Sequence, residues 1–202
     1  MRVEKYLFAL MAGLVMLFSA CQDDDSFTVS PQYTLSFSSD TIKLDTVFSR
    51  IPTATKTIWV YNRSGDGIRC SNIRLENGNQ TGFRVNVDGI FLGASTGFQT
   101  SGVEIPNKDS IRVFVELTSP NNMNETPTKL EDNLVFTLES GVQQKVNINA
   151  YTWDATILDS LHVKSDTTIS STKPIVIRGG IRVDSAATLT VTAGTTLYFA
   201  NK

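Results

Sequence analysis

Two thiols, one imidazole and 20 carboxylates are the groups in this chain whose chemistry could go beyond packing. Cys21 stands in "LFSACQDDDSF", between an uncharged run and three aspartates, and Cys70 is the only other cysteine. His162 is the only histidine and lies in a different segment from either. A zinc site needs three or four ligands, and Cys and His are too few to supply them, so no metal is expected and no other cofactor is implied. A Cys70–His162 dyad has both members on paper but no supporting motif, and Cys70 is expected to be a small buried apolar side chain. The chain has no GxSxG, P-loop, HExxH or Rossmann fingerprint. Paired carboxylates can hydrolyse glycosides, but Asp154, Asp159, Asp166 and Asp184 all read as turn residues, where Asp is common anyway. No catalytic residue is assigned, and the chain reads as non-catalytic.

Hydroxyls carry a second pattern. An Asp-(Ser/Thr) pair followed by an aliphatic residue, Ala or Thr occurs six times, at Asp40-Thr41-Ile42, Asp45-Thr46-Val47, Asp109-Ser110-Ile111, Asp159-Ser160-Leu161, Asp166-Thr167-Thr168 and Asp184-Ser185-Ala186. Composition alone would yield about one or two. Turns leading into apolar strands generate the same triplets. The pattern also resembles the O-glycosylation site of Bacteroidota, which would place glycans on Thr41, Thr46, Ser110, Ser160, Thr167 or Ser185.

The setting of Cys21 gives the chain its address. Arg2 and Lys5 precede an uncharged run of twelve residues from Leu7 to Phe18. That run is too short for a bilayer core of about 30 Å. A basic start, a short apolar centre and small residues at its end make residues 1–20 a secretory signal. Ser19-Ala20-Cys21 resembles the lipobox of bacterial lipoproteins, although Phe18 stands where leucine is commoner. The resemblance implies that the Cys21 thiol receives a lipid, the signal is cut before it, and the new amino terminus is acylated. Several acyl chains make such an anchor stable. Gln22, Asp23, Asp24 and Asp25 resemble the acidic export signal of Bacteroidota surface lipoproteins, and an acidic solvated tether reads equally well. The expected location is the outer membrane, lipid-anchored and facing the cell exterior.

Charge excludes two classes of partner. The chain is −2 overall, and loss of residues 1–20, with two bases and one acid, leaves −3. Asp23, Asp24 and Asp25 account for all of it, so residues 26–202 are neutral. Nucleic-acid binding asks for a basic surplus, and anionic lipid for a polybasic patch; neither is present.

The elements that must carry these groups are strands. "SIRVFVELTS", "NLVFTLES" and "VQQKVNINAY" alternate apolar and polar residues, as half-buried strands do. "YTLSFS", "TIKLDTVF", "KTIWVYN", "GIRCSNIRL" and "FRVNV" complete about eight strands, separated by Gly, Asn, Asp and Pro turns. In "GIRCSNIRL" the apolar parity changes between Cys70 and Ile73, which predicts a bulge near Ser71-Asn72. "IWVY" is apolar on both faces and reads as a central strand covered outside as well. Trp59 and Tyr61 there could instead form a glycan-stacking platform. Residues 32–151 are therefore expected to form an Ig-like antiparallel β-sandwich, after a lipidated acidic tether at 21–31.

Residues 152–202 have a different texture. Ile181 and Val183, Leu189 and Val191, and Leu197 and Phe199 form apolar pairs spaced eight apart. Short strands at fixed spacing with small corner residues fit the first rungs of a β-solenoid, and a plain meander is the alternative. "LTVTAGTTLYF" resembles the opening rungs of right-handed parallel β-helices. The blocks "DTVFSRI", "KTIWVYNRSGDGIRCSNIRL", "GFRVNVDG" and "VFVELT" resemble the N-terminal domain of Bacteroidota lipoproteins that continue into such a helix. The resemblance implies an all-β, non-catalytic surface lipoprotein for display or for binding a glycan or protein. The alternative is the N-terminal part of a β-helix polysaccharide lyase or glycoside hydrolase. The rungs from Ile175 to Phe199 amount to little more than one coil, so further rungs or a partner chain are expected to cover Leu197, Tyr198 and Phe199.

Overall fold

The computed structural model describes residues 26–78 and 80–200. The lipid and export expectations, on Cys21 and residues 22–25, fall outside them. Eleven strands precede residue 154: β1 Ser36–Phe37, β2 Thr41–Phe48, β3 Lys56–Tyr61, β4 Ile68–Leu75, β5 Phe83–Val87, β6 Ile90–Phe91, β7 Gln99–Thr100, β8 Val103–Ile105, β9 Ser110–Leu117, β10 Thr128–Leu138 and β11 Gln143–Trp153. They form a five-stranded sheet, β1-β3-β9-β5-β6, and a six-stranded sheet, β2-β11-β10-β4-β7 with β8 also on β4. The inward residues of both sheets make one core, with Val60, Cys70, Ile73, Val85, Val113, Leu134, Phe136 and Ile148 almost fully enclosed. Burying an aliphatic or aromatic side chain of this size contributes about 1.5–3 kcal/mol, and it holds the two sheets face to face as a β-sandwich.

The expected bulge is present. Thr137 pairs with Asn72 and Leu138 with Cys70, so Ser71 is the extra residue. Its hydroxyl donates to the Thr137 carbonyl at 3.1 Å. The inserted residue lets Cys70 and Ile73 both face the core.

Two expectations are corrected. The sandwich is not wholly antiparallel, because β2 runs parallel to β11, with Ile42 opposite Ile148 and Phe48 opposite Trp153. A bulge interrupts this pair, and Asp45 sits there at φ 58°, a left-handed conformation that Asp adopts more readily than most residues. Nor is β3 a covered central strand. β1 pairs with it only through Ser36–Tyr61 and Phe37–Val60, and Trp59 is 39% exposed.

Seven three-residue strands follow: β12 Thr156–Leu158, β13 Leu161–Val163, β14 Thr167–Ile169, β15 Ile175–Ile177, β16 Ile181–Val183, β17 Leu189–Val191 and β18 Leu197–Phe199. β12, β13, β14 and β15 each pair in parallel with the strand three further on, giving the sheets β12-β15-β18, β13-β16 and β14-β17. Paired residues lie 19, 20, 22 and 22 apart, from Thr156↔Ile175, Leu161↔Ile181, Thr167↔Leu189 and Ile175↔Leu197. The chain therefore coils round three sides, completing two coils and beginning a third, which is more than the apolar pairs suggested. Gly179 makes one corner possible, since a Cβ there would collide with the Asp159 carbonyl oxygen.

The coils meet the sandwich at one end. Ile175 and Ile177 share one face of β15 and Val176 the other, and all three are buried. Val176 pairs with Tyr198, and the Tyr198 ring packs edge-on against Phe48 at the end of β2. Asp154 accepts from the Ser49 hydroxyl at 2.7 Å and from the Asn122 and Met123 N–H groups at 3.0 and 2.9 Å. Lys173 of the coils approaches it at 3.8 Å. Burial would push the Asp154 carboxyl up, but these donors and the ammonium together hold it below the usual carboxylate range.

The N-terminal segment is fastened at the other end. Phe27 bridges Gly67, which donates to the Ser26 carbonyl and accepts from Thr28, both at 2.9 Å. The Arg69 guanidinium covers the Phe27 ring at 4.8 Å. Gly67 leads into β4, whose Cys70 pairs with Leu138 at the far end of β10, whereas Thr128 at its near end pairs with Thr152. The eleven residues of β10, at about 3.3 Å each, put roughly 35 Å between these two ends.

Candidate functional site

The outward residues of the five-stranded sheet form a surface of aromatic and polar side chains, assembled by cross-strand register. Trp59 on β3 lies opposite Arg112 on β9. One row further, Thr57, Phe114, Asn86 and Phe91 align across β3, β9, β5 and β6. In the row beyond, Glu116 pairs with Arg84 through an ion pair of 2.6 Å. The inward partners in these strands, among them Val60, Val85, Val113 and Val115, are core residues, so strand alternation forces this set outward.

Trp59 and Tyr61 lie side by side, with ring centroids 6.4 Å apart and planes 13° from parallel. Each already carries a guanidinium, Arg112 over Trp59 at 5.0 Å and Arg63 over Tyr61 at 4.7 Å. Arg112 also reaches the Phe114 ring at 5.9 Å. The more open aromatic is Phe91, 52% exposed. With Phe114, Arg84, Val85, Asn86 and Glu116 it lines a cavity of about 190 Å³. The sequence reading missed Phe91 and Phe114. Two-residue β6 carries too short a pattern to read, and Phe114 falls on the polar parity of an alternating strand, which gives no signal of its own.

The surface is rich in free donors. Among the described residues the Arg112 guanidinium, the Asn86 side-chain amide nitrogen, the Trp59 indole N–H and the Tyr61 hydroxyl have no protein acceptor, while Asn86 Oδ1 is taken by the Gly89 N–H at 2.8 Å. Arg112 forms no ion pair among the described residues. Stacking uses the face of a guanidinium and leaves its edge N–H groups available for a carboxylate.

The remaining expectations separate cleanly. Cys70 lies wholly inside the sandwich core, where burial pushes its thiol up to about 12. It is a packed side chain, and His162 is exposed on the coils, so the two form no dyad. His162 Nε2 instead meets Asp184 Oδ1 at 2.8 Å. Asp166 accepts from the Thr188 N–H at 2.8 Å and Asp159 faces Arg178 at 3.9 Å. Asp154, read as a turn residue, is a buried acid at the junction. No three His, Cys, Asp or Glu residues among the described residues are grouped to hold a metal. Of the six triplet hydroxyls, Thr46, Ser160 and Ser185 are exposed, and Thr41, Ser110 and Thr167 are half-buried.

No family model matches this sequence, and no curated protein matches it either. Several solved structures match parts of the chain. A Porphyromonas gingivalis protein of unknown function matches at 14% identity and TM-score 0.39, over 66% of this chain and 59% of its own. A family 123 glycoside hydrolase from Clostridium perfringens matches at 8% identity and TM-score 0.40, over 66% of this chain and 30% of its own. A PapD-like domain of human CEP192 matches at 8% identity and TM-score 0.36, over 62% of this chain and 89% of its own. The chain thus spans less than two thirds of the first two proteins. The β-sandwich assignment rests on the strand pairing within this chain.

Proposed function

We propose that this chain is a non-catalytic lipoprotein module, anchored through lipid on Cys21, whose sandwich holds the opening coils of a right-handed parallel β-helix away from the outer membrane at the cell surface. The observation that carries the reading is the opposition of its two attachments. The N-terminal segment is stitched to Gly67 at one end of the sandwich, and the coils sit on Phe48 and Asp154 at the other. From Cys21 to Ser26 the chain spans at most about 17 Å, so the sandwich would stand close to the lipid and its long strands would set the height of the coils. Parallel pairing of each strand with the third one after it supports the β-helix part of the reading. The lipobox resemblance of Ser19-Ala20-Cys21 supports the anchor.

Mass spectrometry of the N-terminal peptide tests the anchor, with a lipidated Cys21 expected. An unmodified Cys21 in membrane-extracted protein rejects it. Because Cys70 is buried with its thiol pushed up to about 12, a cysteine introduced on the surface can be labelled selectively. A fluorophore at Asn107→Cys, beside the tether end, is expected to be quenched by a lipid-headgroup quencher. One at Ala193→Cys, on the coils, is expected to escape. Equal quenching at both positions would refute the standing orientation while leaving the lipid result intact.

A further inference from the structure

We propose that the outer face of the five-stranded sheet binds an acidic polysaccharide, with Arg112 holding a uronate carboxylate and the neighbouring sugar ring seated between Phe91 and Phe114. Register places these groups side by side. Arg112 reaches over Phe114, and Phe114 and Phe91 both line the same cavity. The cavity, at about 190 Å³, is smaller than the roughly 300–1,000 Å³ of a drug-sized site and suits one ring. A sugar ring presents C–H groups on its faces and hydroxyls at its rim. Phe91 and Phe114 suit the faces, while Asn86 and the Arg84–Glu116 pair line the same cavity and can meet hydroxyls.

The acid specificity comes from charge bookkeeping on this surface. Glu116 neutralises Arg84 at 2.6 Å, whereas Arg112 has no carboxylate partner among the described residues. Trp59 and Phe114 hold its guanidinium in place, which lowers the ordering cost of a bidentate carboxylate contact. Asp88 is the acid across the sheet from Arg112: its N–H donates to the Arg112 carbonyl at 2.8 Å, and its carboxylate forms no ion pair among the described residues. The donors that lack protein acceptors, Arg112 and the Asn86 amide, suit a ligand built mostly of acceptors. This site does not depend on membrane anchoring, and binding is measured on extracted protein, so either reading can fail alone.

The test is native affinity electrophoresis of the full chain in gels carrying polygalacturonate or, separately, neutral dextran. Polygalacturonate is expected to retard the chain and dextran to leave it unchanged. Arg112→Gln and Phe91→Ala are each expected to weaken retardation about tenfold or more, with Arg112→Lys recovering part of it. Lys129→Ala, on the other sheet, is expected to behave as the parent, and thermal unfolding verifies that each variant folds. No retardation by polygalacturonate overturns the proposal. So does retardation that survives both Arg112→Gln and Phe91→Ala, which marks diffuse charge attraction. Dextran binding that ignores Arg112 overturns the acidic class. A protein partner bound through the same residues, with no polysaccharide binding, overturns the ligand class.

Discussion

The ring of Tyr198, in the last strand of the coils, meets the ring of Phe48, at the end of β2, with centroids 4.8 Å apart and planes 64° from parallel. Residues 150 positions apart are thus in edge-to-face contact across the junction between the two parts of the chain. Such pairs contribute about 0.5–1.5 kcal/mol beyond the area they bury. A double-mutant cycle of Phe48→Ala and Tyr198→Ala is expected to give a coupling within that range by thermal or denaturant unfolding. Strictly additive effects would mean that the junction is held by Asp154 and its donors without help from the rings.

Asp154 makes that junction sensitive to acid. Its carboxyl is held below the ordinary aspartate value in the folded chain, so its contribution is fully present above about pH 4 and is lost as pH falls through the depressed folded value. Parent protein is expected to lose coil–sandwich cohesion on acidification below pH 4, read as rising protease sensitivity of residues 155–200. Asp154→Asn is expected to be less stable at pH 7 by about 2–4 kcal/mol, since the donors of Ser49, Asn122 and Met123 lose a charged acceptor. Its stability should fall less than the parent's over that acid window, the remaining loss coming from carboxyls such as Glu76 and Glu131 that are also held low.

Gly67 fastens the tether because a Cβ there would meet the Ser26 carbonyl oxygen at 2.6 Å and the Phe27 ring at 2.8 Å. Gly67→Val is expected to release residues 26–29 from the sandwich, giving faster proteolysis before Ser30. Global stability should fall only modestly, because the core strands are untouched. Unchanged cleavage would show that Thr28 and Arg69 hold the segment unaided.

Glycan attachment at the Asp-(Ser/Thr) triplets is expected on the exposed hydroxyls of Thr46, Ser160 and Ser185. Thr167 donates to the Ser165 carbonyl at 2.8 Å, and Thr41 and Ser110 are half-buried, so these three are expected to stay bare. Glycopeptide mapping of protein from the native host decides this. An intact mass of peptide plus lipid alone would rule the modification out.

Alternation along β9, β10 and β11, the parity change that makes Ser71 a bulge, and the eight-residue spacing of the last apolar pairs were all determined by sequence, because burial of one strand face is a local, periodic requirement. Cys70 as a packed side chain was legible for the same reason, and Trp59 beside Tyr61 follows from a spacing of two. Tertiary structure alone decided which strand each would meet. Nothing in "TIKLDTVF" dictates that β2 runs parallel to β11, since an inward face satisfies either direction. The first coil, with its weaker apolar pattern at Thr156–Leu158 and Thr167–Ile169, becomes evident only through pairing with residues about 20 further on. The row of Thr57, Phe114, Asn86 and Phe91 is drawn from four strands, and Arg112 gains its aromatic supports from two. That register is fixed by the shared core beneath the sheet, a long-range packing condition that no single segment contains.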